Sequence, residues 1–252
     1  MLQKPLLDKL STLQLHGMRQ GLEEQALSTQ YADLSFEDRL GLLVDRECTR
    51  RDNSRLDRIL KAARFQYDAC IEDVDFSASR GMTKRNVLEL AQCEWIRNRL
   101  NVLIVGPTGA GKTFLACALG QSACRFGITV KYIRLSRLLQ EIAYAQADGS
   151  YPKLLDALAK ASLLILDDWL RDPLTPAQAR DLLEVFDDRY NKKSTLVVAQ
   201  VPVTEWHERI PDPTLADAIL DRLVHNAHRI TLKGESQRKL RSPLAETDGK
   251  GV

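Results

Sequence analysis

Gly106-Pro107-Thr108-Gly109-Ala110-Gly111-Lys112-Thr113 holds the residues of this chain whose types and spacing most directly imply chemistry, matching G-x-x-x-x-G-K-[ST] at every fixed position. Glycines at 106, 109 and 111 let the backbone curl until several N–H groups converge on one anion. A helix starting at the end of such a loop points its positive dipole end at the same place. The guest that suits this cradle is a triphosphate, with Lys112 reaching the β- and γ-phosphates and the Thr113 hydroxyl ligating Mg²⁺. The bland alternative is a strand-to-helix turn that binds nothing. A second cluster supports the ligand. Ser162-Leu163-Leu164-Ile165-Leu166-Asp167-Asp168 is an apolar run ending in two carboxylates. A strand buried in a parallel sheet has this composition, and its C-terminal end lies at the ligand crevice. In enzymes with this loop, Mg²⁺ is held by the loop Ser/Thr together with an Asp at such a strand end.

The elements around these residues alternate. Asn101–Val105 is a short apolar strand entering the loop, and 114–123 is a Leu- and Ala-rich helix leaving it. Further strands are expected at 129–134, 162–168, 194–199 and 230–232, with helices at 86–99, from a cap at Ser136, from Leu154, from Pro176 behind a Thr175 cap, and at 215–223. Residues 71–76 suit a short strand or a turn. The pattern predicts an α/β three-layer domain with a parallel sheet of about five strands.

Residues 1–67 are expected to form a small helical domain. One helix ends at Gly17, a second covers 18–27, and Ser35 caps a third whose buried stripe is Phe36, Leu40, Leu43 and Val44. Beyond position 46 that helix turns basic. Arg50, Arg51, Arg55, Arg58, Lys61 and Arg64 are spaced to follow a phosphate backbone, or they form a solvated face with ion pairs. Lys131, Arg134 and Arg137 are the next candidates for such contacts. Residues 68–240 then form the nucleotide domain, and 241–252 a disordered tail.

Composition adds bounds. The chain has 252 residues, 44% hydrophobic and 28% charged, which is ordinary for a globular protein with a real core. A net charge of +2 neither demands nor excludes a nucleic-acid partner. Five cysteines without ligand spacing suggest packed, reduced thiols and a cytoplasmic location. The start of the chain lacks a signal-peptide pattern, and no run approaches the ~18 apolar residues of a membrane span.

GPTGAGKT and LLILDDW, together with STLVVAQVPVTEWHE, DPTLADAILDRLVHNAHRITLKGESQRK and LSFEDRLGLLVDRE, resemble the IstB family, AAA+ ATPase helper proteins of bacterial insertion-sequence transposition. The resemblance covers nearly the whole chain. It implies an AAA+ core behind a helical N-terminal domain, ATP and Mg²⁺ as cofactors, a homo-oligomer assembled on duplex DNA, and a transposase as partner. Gly106 to Thr113 match Walker A, and Asp167 matches the metal-site Asp of Walker B. Asp168 stands where most AAA+ proteins carry a catalytic Glu. Gln200 falls at the sensor 1 position, or is a strand-end cap. Arg222 falls at the arginine-finger position, or pairs with Asp217 or Asp221. Arg238 matches a second sensor, although the chain beyond 232 is short for a helical lid domain. DnaC-type helicase loaders share this core and are the alternative. A small-molecule kinase would need an acceptor pocket and a mobile lid, for which the sequence offers no evident segment.

Overall fold

The computed structural model describes residues 4–76 and 81–234. Five strands, β1 (Asn101–Val105), β2 (Val130–Arg134), β3 (Leu163–Trp169), β4 (Ser194–Ala199) and β5 (Ala227–Thr231), form one sheet in the order β2-β3-β4-β1-β5. Every pairing is parallel. Parallel neighbours require crossovers, and helices supply them.

Ten helices occur among the described residues: α1 (Lys4–Thr12), α2 (His16–Leu27), α3 (Phe36–Ala63), α4 (Lys84–Ala91), α5 (Glu94–Arg97), α6 (Lys112–Arg125), α7 (Leu135–Asp148), α8 (Tyr151–Lys160), α9 (Pro176–Arg189) and α10 (Pro213–Val224). Successive strand residues face opposite sides of the sheet, so both faces need cover. Leu103, Leu164, Leu166 and Val197 pack under α7 to α10 with Leu138, Ile142, Leu182, Phe186 and Ile219. The other face carries α6. A Cβ on Gly120 of that helix would fall 2.8 Å from Ile165 Cδ1, so the missing side chain sets how closely α6 approaches the sheet. The result is the three-layer α/β architecture expected from the alternation of elements. No helix follows β5 among the described residues, and none of the helices there is long and apolar enough to cross a membrane.

The chain divides into two compact units, Met1–Arg58 and Ile59–Val252, with the division inside α3. In the first unit several expectations are corrected. Gly17 does not stop a helix; it lies in the first turn of α2, where its N–H donates to Glu47 Oε2 at 2.6 Å. The expected stripe on α3 is mostly outside: Phe36 is 72% exposed, and Leu40 and Val44 are exposed too, while Leu43 and Glu47 are buried. A carboxylate therefore sits inward where periodicity places only apolar groups, because it caps the N-terminus of α2 and receives Arg50 and Arg51. Ser35 does cap α3, accepting from the Asp38 N–H at 3.1 Å.

In the second unit, residues 71–73 form a 3₁₀ turn and not a strand. The helix expected over 86–99 is broken into α4 and α5 by Cys93, which takes a left-handed φ of 62°. Ser136 lies within the first turn of α7, and the residue at the N-cap is Arg134. Thr175 caps α9 in a full capping box with Gln178. The last strand ends at Thr231 and begins earlier than expected, at Ala227. The 241–252 tail and Arg238 lie outside the described residues.

Candidate nucleotide-binding site

β1 delivers the chain into the loop at the C-terminal edge of the sheet. Gly106 is needed for space: a Cβ there would come within 2.4 Å of the Leu232 carbonyl oxygen, which belongs to the segment hydrogen-bonded beside β1 through Leu232 N–H to Val105 O at 2.7 Å. Gly109 and Gly111 are needed for conformation, with φ of 83° and 89°. Gly111 is the N-cap of α6 and offers no side chain to its first-turn N–H groups. That turn carries no acidic residue either, so an anion is the acceptor these donors suit. Lys112 is buried, and its Nζ donates to Pro107 O at 2.8 Å, which folds the side chain along the loop.

The Walker B strand meets this loop. Thr113 Oγ1 donates to Asp167 Oδ2 at 2.9 Å. Asp167 is 2% exposed, and its oxygens accept from two further neutral donors: Tyr132 Oη on Oδ2 at 2.7 Å and the Asp168 N–H on Oδ1 at 2.8 Å. Asp168 and Leu170 both have left-handed φ, 55° and 48°, and the β3–β4 register shifts between Leu166 and Trp169. This corner separates the two carboxylates, leaving Asp167 inside and Asp168 at the mouth, where Arg134 Nε and Arg171 Nη1 approach its Oδ2 at 3.9 and 4.0 Å. Trp169 turns into the core against Phe186 and Trp206.

Gln200 follows β4 and accepts a hydrogen bond from Thr108 Oγ1 at 2.9 Å, so its side chain lies over the loop. A cleft of about 540 Å³ joins these residues, with Lys112, Thr113, Asp167, Asp168 and Gln200 in its lining. Its size is in the range of small-ligand sites. The oxygen pair of Thr113 and Asp167 is a donor set suited to Mg²⁺, which takes one or two protein oxygens and completes its shell with phosphate and water.

The segment after α3 forms a second wall, which the sequence did not reveal. A Cβ on Gly120 would sit 2.5 Å from the Phe65 ring, Tyr67 packs on Phe114 with centroids 6.4 Å apart, and Asp68 accepts from Gln121 Nε2 at 2.8 Å. Gln66 Oε1 lies 2.7 Å from Tyr132 Oη and accepts from Arg134 Nε at 3.3 Å. Burial and the neighbouring Asp167 push the Tyr132 phenol far up, so it is a neutral donor. Tyr132 is buried in β2 between Lys131 and Ile133, and a buried phenol needs a hydrogen-bond partner, which was the available signal.

Arg222 is elsewhere. It sits in the last turn of α10, and its own carbonyl accepts from Asn101 Nδ2 at 2.9 Å, at the beginning of β1. The loop leaves the other end of that five-residue strand, roughly 16 Å away at ~3.3 Å per residue. Its ionic partner is Asp187 of α9, and neither Asp217 nor Asp221. Nη1 also donates to Ala218 O at 2.7 Å, and the guanidinium lies 5.8 Å from the Tyr190 ring centroid.

Among the basic residues of α3, Arg50 and Arg51 are engaged by Glu47 at 2.8 and 2.7 Å. Arg50 holds that carboxyl down at about 2, with help from Arg51 and the α2 N–H groups against the effect of burial. Arg55, Arg58, Lys61 and Arg64 are exposed and make no ion pair among the described residues. Arg137 pairs with Glu141 at 3.4 Å, and Arg134 faces the cleft.

The sheet order, the loop and the Asp167 strand end define an AAA+ P-loop NTPase fold. The family described as IstB-like ATP binding protein matches residues 8–245, and the chain belongs to it. It is 46% identical over 239 residues to a Sinorhizobium fredii protein named as an insertion-sequence ATP-binding protein, covering 95% of this chain and 98% of that one. It is also 46% identical over 203 residues to a protein of Pseudomonas fluorescens named for ATP binding in the insertion sequence IS1162, covering 80% and 88%. Among solved structures, the DnaC helicase loader superposes with a TM-score of 0.54 at 18% identity, over 66% of this chain and 98% of that one, a likeness of fold.

Proposed function

We propose that the protein is an ATP-hydrolysing, DNA-assembled helper of transposition, working in the cytoplasm with a separate transposase. The observation that carries the hydrolytic part is the Thr113–Asp167 hydrogen bond at the mouth of the glycine loop, the donor pair that a Mg²⁺–ATP complex requires. When bound, that complex supplies an electrophilic γ-phosphorus whose developing charge the metal helps to neutralise. The loop N–H groups and Lys112 would hold the phosphates, Thr113 and Asp167 would present oxygens to the metal, and Gln200 would orient water near the γ-phosphate. Asp168 would polarise the attacking water. As a carboxylate one carbon shorter than Glu, it depends on the left-handed corner to bring it forward.

Arg222 cannot serve its own loop from the opposite end of β1, which favours a role in a neighbour's site and hence a homo-oligomer. The exposed Arg55 and Arg58, one helical turn apart on α3, support contact with the phosphates of duplex DNA, with Arg50, Arg51, Lys61 and Arg64 as further candidates. Buried free thiols at Cys93, Cys117 and Cys124 fit a reducing compartment.

The test measures duplex binding against salt. Replacing Arg55 and Arg58 by Ala should reduce the log–log slope by about 0.9 for each phosphate that is no longer neutralised. A wild-type slope would return this face to simple solvation. Transfer of the protein to a replicative helicase, and not a transposase, in co-purification would favour the helicase-loader reading that the DnaC-like fold raises.

A further inference from the structure

We infer that Tyr132 is a positioning residue for the Asp167 carboxylate, and that Gln66 competes with Asp167 for its single proton. The inference rests on the Mg²⁺–nucleotide reading of the cleft and deepens it. Asp167 Oδ2 accepts from two hydroxyls, Thr113 at 2.9 Å from the loop side and Tyr132 at 2.7 Å from β2. The two hydroxyls pin the same oxygen from different elements, while the Asp168 N–H holds Oδ1 at 2.8 Å. When Tyr132 gives its proton to Asp167, the carboxylate has its rotamer fixed before any metal arrives. Groups that orient a metal ligand in this way commonly change metal affinity by ~10–100-fold when removed.

Tyr132 has a choice of acceptor. Gln66 Oε1 also lies 2.7 Å from its hydroxyl. Arg134 Nε, a donor at 3.3 Å, requires that the oxygen and not the amide nitrogen of Gln66 face this point. One phenolic proton thus stands between two acceptors at equal distance. A hydrogen bond given to Gln66 is one withheld from Asp167. Gln66 lies just beyond the end of α3 at Ala63, in the segment seated on α6 by Phe65 and Asp68, so the outcome of this competition is set by where that segment rests.

Opposite effects of two substitutions test the assignment. Tyr132→Phe keeps the ring and its packing but removes the donor; Gln66→Leu removes the competing acceptor. For each purified full-length protein, binding of a fluorescent ATP analogue is measured in EDTA and then across a Mg²⁺ titration. Tyr132→Phe should bind the analogue in EDTA within twofold of wild type while needing about tenfold more Mg²⁺ for half-maximal enhancement. Gln66→Leu should need less Mg²⁺ than wild type, and a requirement equal to or above that of wild type would overturn the competition. An unchanged Mg²⁺ requirement in Tyr132→Phe would overturn the positioning role. Equal weakening by both substitutions, with and without Mg²⁺, would overturn it as well, since a purely structural triad behaves that way. If wild type itself shows no Mg²⁺-dependent binding, the underlying reading of the cleft fails first, which separates the two failures.

Discussion

Replacing Arg222 by Ala separates a structural role from a catalytic one by several orders of magnitude. In the folded chain its side chain is 27% exposed and that of Asp187 is 48% exposed, so their ion pair is worth at most about 1 kcal/mol. The approach to the Tyr190 ring adds roughly 0.5–1 kcal/mol. Losing both should cost about 0.5–2 kcal/mol of stability, a shift of a few degrees in Tm. ATP affinity should be unchanged, because Arg222 touches the start of β1 and the phosphate loop leaves its end. An arginine finger supplied to a neighbour contributes ~10³–10⁵ in rate. Arg222→Ala should accordingly bind ATP normally, melt slightly earlier and hydrolyse ATP at least about a thousandfold more slowly. Steady-state turnover across a range of protein and DNA concentrations reads this directly. Mixing Arg222→Ala with Lys112→Ala should restore part of the activity, since some interfaces then join an intact loop to an intact finger. Full turnover by Arg222→Ala alone, or no recovery on mixing, would refute the trans role and leave Arg222 with its contacts to Asp187, Ala218 and Tyr190.

Acid should loosen the N-terminal helices in a defined window. Glu47 is held at about 2, below its ordinary 4.5, so the stability it contributes is complete above 4.5 and is lost as pH falls through about 2. Hydrogen exchange at α2 should accelerate over that interval in wild type and show no such pH dependence in Glu47→Gln; equal profiles would deny the cap. Thiol labelling at neutral pH should find two reactive cysteines, exposed Cys48 and half-buried Cys70, and all five only in denaturant. Burial pushes Cys93 up to about 11 and Cys124 up to about 12, and raises Cys117 too, so rapid native labelling of any of these would contradict the packing around α6.

The loop and the β3 carboxylates were legible because their chemistry is encoded in contiguous residues: Gly106 to Thr113 form one turn, and Asp167 and Asp168 lie together in the last three residues of one strand. The order of elements was legible for a related reason, since buried parallel strands are continuous apolar runs. What escaped depends on neighbours distant in sequence. Tyr132 and Gln66 reach the site only because β2 lies beside β3 and residues 65–68 fold back over α6. On α3 the pattern of Phe36, Leu40, Leu43 and Val44 suggested a core face, yet of these only Leu43 is buried and a carboxylate joins it, because the α2 N-terminus and two arginines satisfy Glu47. The partner of Arg222 was hidden for the same reason: Asp187 is distant in sequence and adjacent only through the packing of α9 on α10.

The most direct test of the cleft's chemistry is Mg²⁺-dependent ATP hydrolysis by the wild-type protein beside Lys112→Ala and Asp167→Ala, with nucleotide affinity measured in parallel. Lys112→Ala should lose ATP affinity, because the ammonium folded along the loop at 2.8 Å from Pro107 O is the side-chain charge placed to meet the phosphates. Asp167→Ala should retain nucleotide binding in EDTA and lose Mg²⁺-dependent turnover, since it deletes the carboxylate that receives Thr113. Turnover equal to wild type in both variants would contradict the assignment of this cleft as an ATPase site.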